Sequence, residues 1–397
     1  MNYILFDNPT ERQNLLPLTF TRPVANIRIG ILTIAEKWEK HLKSTVSYLT
    51  MDYLQNKFPI TLQNENVFIN GSICPNEVLI NEILNLQMGQ ALYKNDVMLA
   101  FKSALAVDFK NIATQFELIE SKAENFIHIK FSYDIFSLNG QAIEEDFKFL
   151  TAGRKSQPIS STNQVIKPEN VFLEEGAIVE CSILNATAGP IYIAKDAEVM
   201  EGCKIRGPFS LGEHAGLKMD AKIYGPTTVG PHCKVGGEVN NAVFFAYSNK
   251  GHDGFVGNAV IGEWVNMGAD TNNSNLKNTY DEVKMWSYDR QKFEKTGLTF
   301  CGLIMADHAK CGINTMFNTG TVVGVGANVF GAGFPRNFIP DFAWGGAQGF
   351  ETFVINKFFK TAEAVYKRRS VELTEDDKNI LTFIFNETKQ HRFWETK

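Results

Sequence analysis

Residues 191–235 read IYIAKDAEVMEGCKIRGPFSLGEHAGLKMDAKIYGPTTVGPHCKV. Steps of six from Ile193 land on Ile193, Val199, Ile205, Leu211, Leu217, Ile223, Val229 and Val235, an aliphatic residue each time. Two places ahead of these stand Ile191, Ala197, Cys203, Phe209, Ala215, Ala221, Thr227 and Cys233, most of them small. Glycine, proline, aspartate and asparagine crowd the positions between. A helix needs apolar spacing of three and four, and a half-buried strand needs unbroken alternation. A constant step of six fits neither. It predicts a left-handed parallel β-helix, where each short side of a triangular coil sends one large residue inward and turns on a small one.

The phase breaks in GGEVNNAVFFAYSNKGHDG (236–254) and returns at Ile261 and Met267. It breaks again from Asp270 and resumes at Met305, Cys311, Phe317, Val323 and Val329. Solenoids expel insertions as surface loops, and such loops often carry function. The plain alternative is a solenoid with a structural role alone.

Before residue 160 the texture changes. YILF (3–6) and NVFIN (66–70) read as buried strands, Ile31–Leu42 and Asn81–Leu92 as helices, and their alternation as an α/β domain. The expected organisation is an α/β domain over 1–152, a polar linker GRKSQPISSTNQ over 153–164, the β-helix over 165–340, and a helical segment over 341–397. Within the last, Phe353–Arg369 has helical apolar spacing, and Thr374 with Asp377 caps a final helix over 375–390.

A chain of 397 residues exceeds one compact core. Its net charge of −5 argues against a nucleic-acid or anionic-membrane partner, though not against a phosphorylated small molecule. The start MNYILFDNPTERQ has no basic region followed by an apolar core, so no signal peptide is expected, and no run has the length of a membrane span. Six cysteines without paired spacing suit a reduced, cytoplasmic setting.

The segment GHDGFVGNAVIGEWVNMGADT (251–271) holds the residues most suited to chemistry. Proton transfer near neutral pH needs a base of matching pKa, and histidine is the usual one. His252 lies in a glycine-flanked stretch, off the inward hexad array, so a core role does not explain it. Glu238 stands just past the first repeat run, placed to orient His252 or bind a cationic group.

This run, with Glu238 and His232 before it and Asn275 after it, resembles the acetyltransferase half of the bifunctional N-acetylglucosamine-1-phosphate uridyltransferase/glucosamine-1-phosphate N-acetyltransferase family over about residues 165–335. The resemblance implies an acetyl-CoA-dependent N-acetyltransferase acting on glucosamine 1-phosphate or a related amino-sugar phosphate. It implies His252 as general base, Asn266 and Asn275 on the acceptor sugar, and Lys222 near its phosphate. Asp270 takes the place of a glycine, Asn240 that of a lysine and Phe255 that of a tyrosine. Arg206, Lys218, Lys250 and Lys284 are candidate replacements at the phosphate. For acetyl-CoA the resemblance points to Ala269, Ile313 and Gly331, with Arg336 toward the CoA phosphates, and it implies a homotrimer sharing its sites between chains.

LLPLTFTRP (15–23) resembles the P-L-T-x-T-R-P stretch of sugar-phosphate nucleotidyltransferases, which implies a reduced domain of that kind and UTP as a substrate. Where that family has a glycine-rich loop, this chain has FDNPTERQN (6–14). Arg12 and Arg22 are then the nucleotide-binding candidates, and Asp7 the one carboxylate for Mg²⁺, because Ser72 stands where an aspartate is expected. Val24 stands in place of a lysine. Other readings are a non-catalytic sugar-nucleotide-binding or scaffold protein, an acyltransferase for a different sugar nucleotide, and a zinc carbonic anhydrase using His214, His232, His252 and His308, which lack the paired spacing it requires.

Overall fold

The computed structural model describes residues 1–105 and 115–395. They form two compact units. One comprises Met1–Leu15, Thr21–Ile27 and Leu32–Phe131; the other comprises Leu16–Phe20, Arg28–Ile31 and Ser132–Lys397.

The first unit is a mixed sheet of β1 (Asn2–Phe6), β2 (Val46–Leu49), β3 (Asn66–Asn70), β4 (Gln90–Lys94), β5 (Val97–Ser103) and β6 (Glu117–Glu120), in the order β2-β1-β3-β5-β4-β6. β1 runs parallel to both β2 and β3, and its continuous apolar run suits a strand buried on both faces. Ile4, Phe6, Phe68, Ala91 and Phe101 form a core, with the Phe68 and Phe101 rings stacked at 4.6 Å. The helix read from Ile31 begins at Ile34, because Thr33 and Glu36 close a capping box there. The helix read over Asn81–Leu92 is corrected: a helix spans Glu77–Leu84, and Gln90–Lys94 is the strand β4. Asn95 and Asp96 both take positive φ, which suits a tight hairpin and returns β4 onto β5.

The second unit carries the predicted left-handed parallel β-helix. Every hexad residue from Ile193 to Val235 is at most 2% exposed, so the six-residue step does mark the inward positions. Leu173, Ile193, Leu211, Val229, Phe244, Ile261, Met305, Val323 and Ile339 stack in parallel register along one inward column. The first break in phase is not an expelled loop. Val239, Phe244 and Lys250 continue the three columns after Val235, each directly registered on the coil before, while the turns on either side of Val239 are shortened. The second break is expelled. Met305 pairs with Ile261, and the intervening chain holds the antiparallel hairpin Lys284–Ser287/Lys292–Lys295.

One corner repeats a further feature. The residue three places after an inward one adopts positive φ at Asp196, His214, His232, Tyr247, Trp264 and His308. Non-glycine residues rarely hold that conformation. Here the rings stack coil upon coil, His214 on His232 at 5.1 Å, His232 on Tyr247 at 4.6 Å and Tyr247 on Trp264 at 4.2 Å. The helix Ile355–Lys367 caps the column with Tyr366, 3.8 Å from Trp264. A last helix, Glu375–Glu387, starts at the expected Thr374–Asp377 capping box. Among the described residues no helix is long and apolar enough to cross a membrane. All six cysteines are free thiols.

Candidate functional site

Strands Ile183–Asn185, Lys204–Arg206, Lys222–Tyr224 and the start of Glu238–Phe244 lie side by side on one face of the β-helix. The middle residue of each three points inward, so the flanking residues face out. Two outward columns result: Lys204, Lys222, Glu238 and Phe255, and beside it Asn185, Arg206, Tyr224, Asn240 and Gly257. Over them opens a groove of about 730 Å³. Lys222 and Glu238, chosen separately from the sequence, are therefore neighbours on adjacent strands. The Tyr224 hydroxyl donates to Glu238 Oε1 at 2.6 Å, and burial, followed by this bond to the carboxylate, pushes the phenol up to about 12.

His252 is exposed at the next corner of the coil. Its loop, residues 251–254, is held by backbone on two sides: Glu238 N–H donates to Gly254 O at 3.2 Å, and Asp270 N–H to Asp253 O at 3.0 Å. Gly237 makes this possible. A Cβ there would fall 2.9 Å from His252 O and 2.8 Å from Gly254 O, and its φ of +71° already favours glycine.

Lys250, read from the sequence only as a phosphate-binding substitute, is placed differently. It occupies an inward column position in register with Val235 and is 1% exposed. Its Nζ donates to His252 O at 2.9 Å and to Gly236 O at 3.0 Å. Burial pulls the ammonium down to about 8, with Asp253 and Asp270 opposing. A lysine where the repeat calls for an aliphatic residue was the available signal, hidden by the shortened turns.

The other candidates spread over the following coils. Asn275 Nδ2 donates to Asn258 Oδ1 at 2.8 Å and stands over Gly257, where a Cβ would meet it at 2.9 Å. Asn266 is exposed in a row with Asn249 and Lys310. Ala269 O accepts the Asn314 N–H at 2.8 Å. Ile313 is 70% exposed, more than an isoleucine with a packing role would be. Gly331 takes a φ of +102° opposite Gln348. Lys284 is exposed on the expelled hairpin, and Arg336 lies over the Phe393 ring at 5.0 Å.

In the first unit, Asp7, Arg12 and Arg22 come together at the end of β1. Arg12 Nη1 donates to Asp7 Oδ2 at 2.7 Å and to Arg22 O at 3.2 Å, and Nη2 to the Tyr53 hydroxyl at 3.0 Å. Asp7 Oδ1 accepts the Val24 N–H at 2.7 Å, and its Oδ2 also accepts from Thr50. Burial holds the Asp7 carboxyl above its ordinary pKa despite Arg12. Asp7 Oδ1 thus ties Val24 to β1 while Oδ2 is taken up by Arg12 and Thr50, and Ser72 donates to Asn70 at 2.7 Å, an arrangement that does not fit Mg²⁺. Beside Arg12, the buried Glu11 pairs with His128 at 3.1 Å, a contact that sequence spacing does not reveal.

Among the described residues no group of three or more histidines, cysteines, aspartates or glutamates is placed to hold a metal. Of the four zinc candidates, His214 and His232 stack in the aromatic column instead.

Residues 3–155 match the family model of sugar nucleotidyl transferases. No curated protein matches the chain in sequence. Solved structures with a similar fold include the Arabidopsis UDP-N-acetylglucosamine acyltransferase, at 12% identity over 51% of this chain and 77% of that one, with a TM-score of 0.22. The UDP-N-acetylglucosamine acyltransferase from Campylobacter jejuni shows 15% identity over 57% of this chain and 96% of its own, with a TM-score of 0.18. A point mutant of AntD, an N-acyltransferase from Bacillus cereus in complex with dTDP and coenzyme A, shows 11% identity over 53% of this chain and 87% of its own, with a TM-score of 0.22. These likenesses are distant, and the fold stands on the register described above.

Proposed function

We propose that the β-helix is an acetyl-CoA-dependent N-acetyltransferase for a phosphorylated amino sugar, glucosamine 1-phosphate or a relative of it. The observation that carries this reading is the anchored His252 loop, joined by backbone to Glu238 at the end of a groove that also contains Lys222. In the reaction His252 takes a proton from the acceptor ammonium. The freed amine attacks the thioester carbonyl, a C–N bond forms, the C–S bond breaks, and coenzyme A leaves as its thiol. Glu238, oriented by Tyr224, holds the amine before transfer, while Lys222 meets phosphate charge. Ala269, Ile313 and Gly331, on successive coils, offer backbone to the acyl donor, and Arg336 meets its phosphates.

The family match over residues 3–155 supports a second reaction, nucleotidyl transfer to a sugar phosphate, which we take to be uridylyl transfer from UTP with Arg12 and Arg22 meeting the triphosphate. The test is thiol release from acetyl-CoA in the presence of amino-sugar phosphates, with pyrophosphate release from UTP followed in parallel. Acceptor-dependent thiol release is the expected result. Purified protein that binds acetyl-CoA but acetylates no phosphorylated amino sugar, free or nucleotide-linked, would overturn the reading.

A further inference from the structure

Resting on that reading, we infer that the acceptor is a nucleoside-diphosphate-linked amino sugar, laid along the groove with its amine at Glu238 and its diphosphate on Arg206 and Lys222. Three observations lead there. The first is charge. Lys204 is already committed, to Gly202 O at 2.8 Å and Asp220 at 3.5 Å. Arg206 and Lys222 line the same groove, and among the described residues neither forms an ion pair. Two cations without carboxylate partners in one concave site call for an anion.

The second is length. Arg206 lies two strands from the Glu238 strand, roughly 10 Å at the usual strand spacing. A sugar 1-phosphate carries its only phosphate next to the amine-bearing ring and reaches Lys222, one strand away. A diphosphate extends to the second strand and meets Arg206. Asn240, uncharged and one strand from Tyr224, leaves no cation at the near side of this second column.

The third is the remaining surface. Around the two cations the groove is also lined by Ile183, Ala188, Pro208 and Pro226, which give it apolar surface next to Lys204. A sugar phosphate has nothing to place there, whereas a nucleobase has a flat apolar face. The volume of about 730 Å³ lies within the range of roughly 300–1,000 Å³ typical of small-molecule clefts.

The experiment uses the full chain and two readouts. In the thiol-release assay, the nucleoside-diphosphate-linked amino sugar should show a KM at least about tenfold below that of the amino-sugar 1-phosphate. Arg206→Ala should raise the former about ten- to a hundredfold, the usual loss for one charge-assisted bond, and erase the difference between the acceptors. Equal KM values for both acceptors, unmoved by Arg206→Ala, would overturn the inference and leave the proposed acetyl transfer standing. If neither acceptor releases thiol, that reading fails, and the groove is judged by photolabelling with 5-azido-UDP. Label on peptides spanning residues 183–226, lost in Arg206→Ala, supports a nucleotide site there. Label confined to residues 1–131, or none, sinks it.

Discussion

Lys250→Met replaces a buried ammonium by an apolar chain of similar length, and the structure fixes how stability should respond to pH. The lysine is 1% exposed, and burial lowers it from 10.5 to about 8. That drop corresponds to roughly 3 kcal/mol against the charged folded form. Below pH 8 the lysine is protonated in both folded and unfolded chains, and the cost of burying the charge is fully present. Between about pH 8 and 10.5 the unfolded chain keeps its proton while the folded chain has lost it, so wild-type stability rises. The methionine variant has no such proton. Lys310, lowered to about 8 by burial, and the tyrosines titrate equally in both proteins and cancel in the difference. Urea unfolding of the two proteins from about pH 7 to about pH 10 reads that difference directly. Wild type should gain on Lys250→Met by roughly 2–3 kcal/mol over the range. A difference independent of pH, or one moving the other way, would show that the ammonium is not held in the coil interior.

Other perturbations target named contacts. Val229→Asp puts an unpaired carboxylate between Leu211 and Phe244 in the coil, costing several kcal/mol; soluble protein with an unchanged melting temperature would contradict the inward register. Asp341, bonded to Val325 N–H at 2.7 Å and the Tyr288 hydroxyl at 2.9 Å, is pushed by burial up to about 6. Its contribution is therefore present below about pH 4 and lost as pH rises to 6, so wild type should lose up to about 3 kcal/mol relative to Asp341→Asn across that window, and parallel stability curves would refute it. Arg22→Ala should abolish pyrophosphate release from UTP while acetyl transfer continues; turnover of UTP unaffected by the change would mean the activity belongs to other residues.

The β-helix was legible because an inward position recurs at a fixed step, and each of the residues at that step from Ile193 to Val235 lies in the interior as it requires. The coil that leads into the candidate site was hidden. The turns on either side of Val239 are shortened, so Val239, Phe244 and Lys250 fall off the six-residue count although they continue the columns. Another corner places a left-handed residue three after each inward one, and no composition rule predicts His232, Tyr247 or Trp264 there; ring stacking between coils accounts for them. In the first unit the helix read through Leu92 failed because the hairpin turn at Asn95 and Asp96 makes Gln90–Lys94 a strand. Arg206, Lys222 and Glu238 were each named from the sequence, but not that they share one groove, since Arg206 and Glu238 are far apart in the chain and meet on one face only through the register of the strands between them.

His252→Ala tests the proposed chemistry most directly. The side chain is exposed and off every inward column, so the variant should fold with the wild-type melting temperature and circular dichroism. Thiol release from acetyl-CoA with the amino-sugar acceptor should fall by about two to four orders of magnitude, the range for losing a general base. Turnover within a few-fold of wild type, in protein that is fully folded, would contradict the assignment of His252 and with it the acetyl-transfer site built around it.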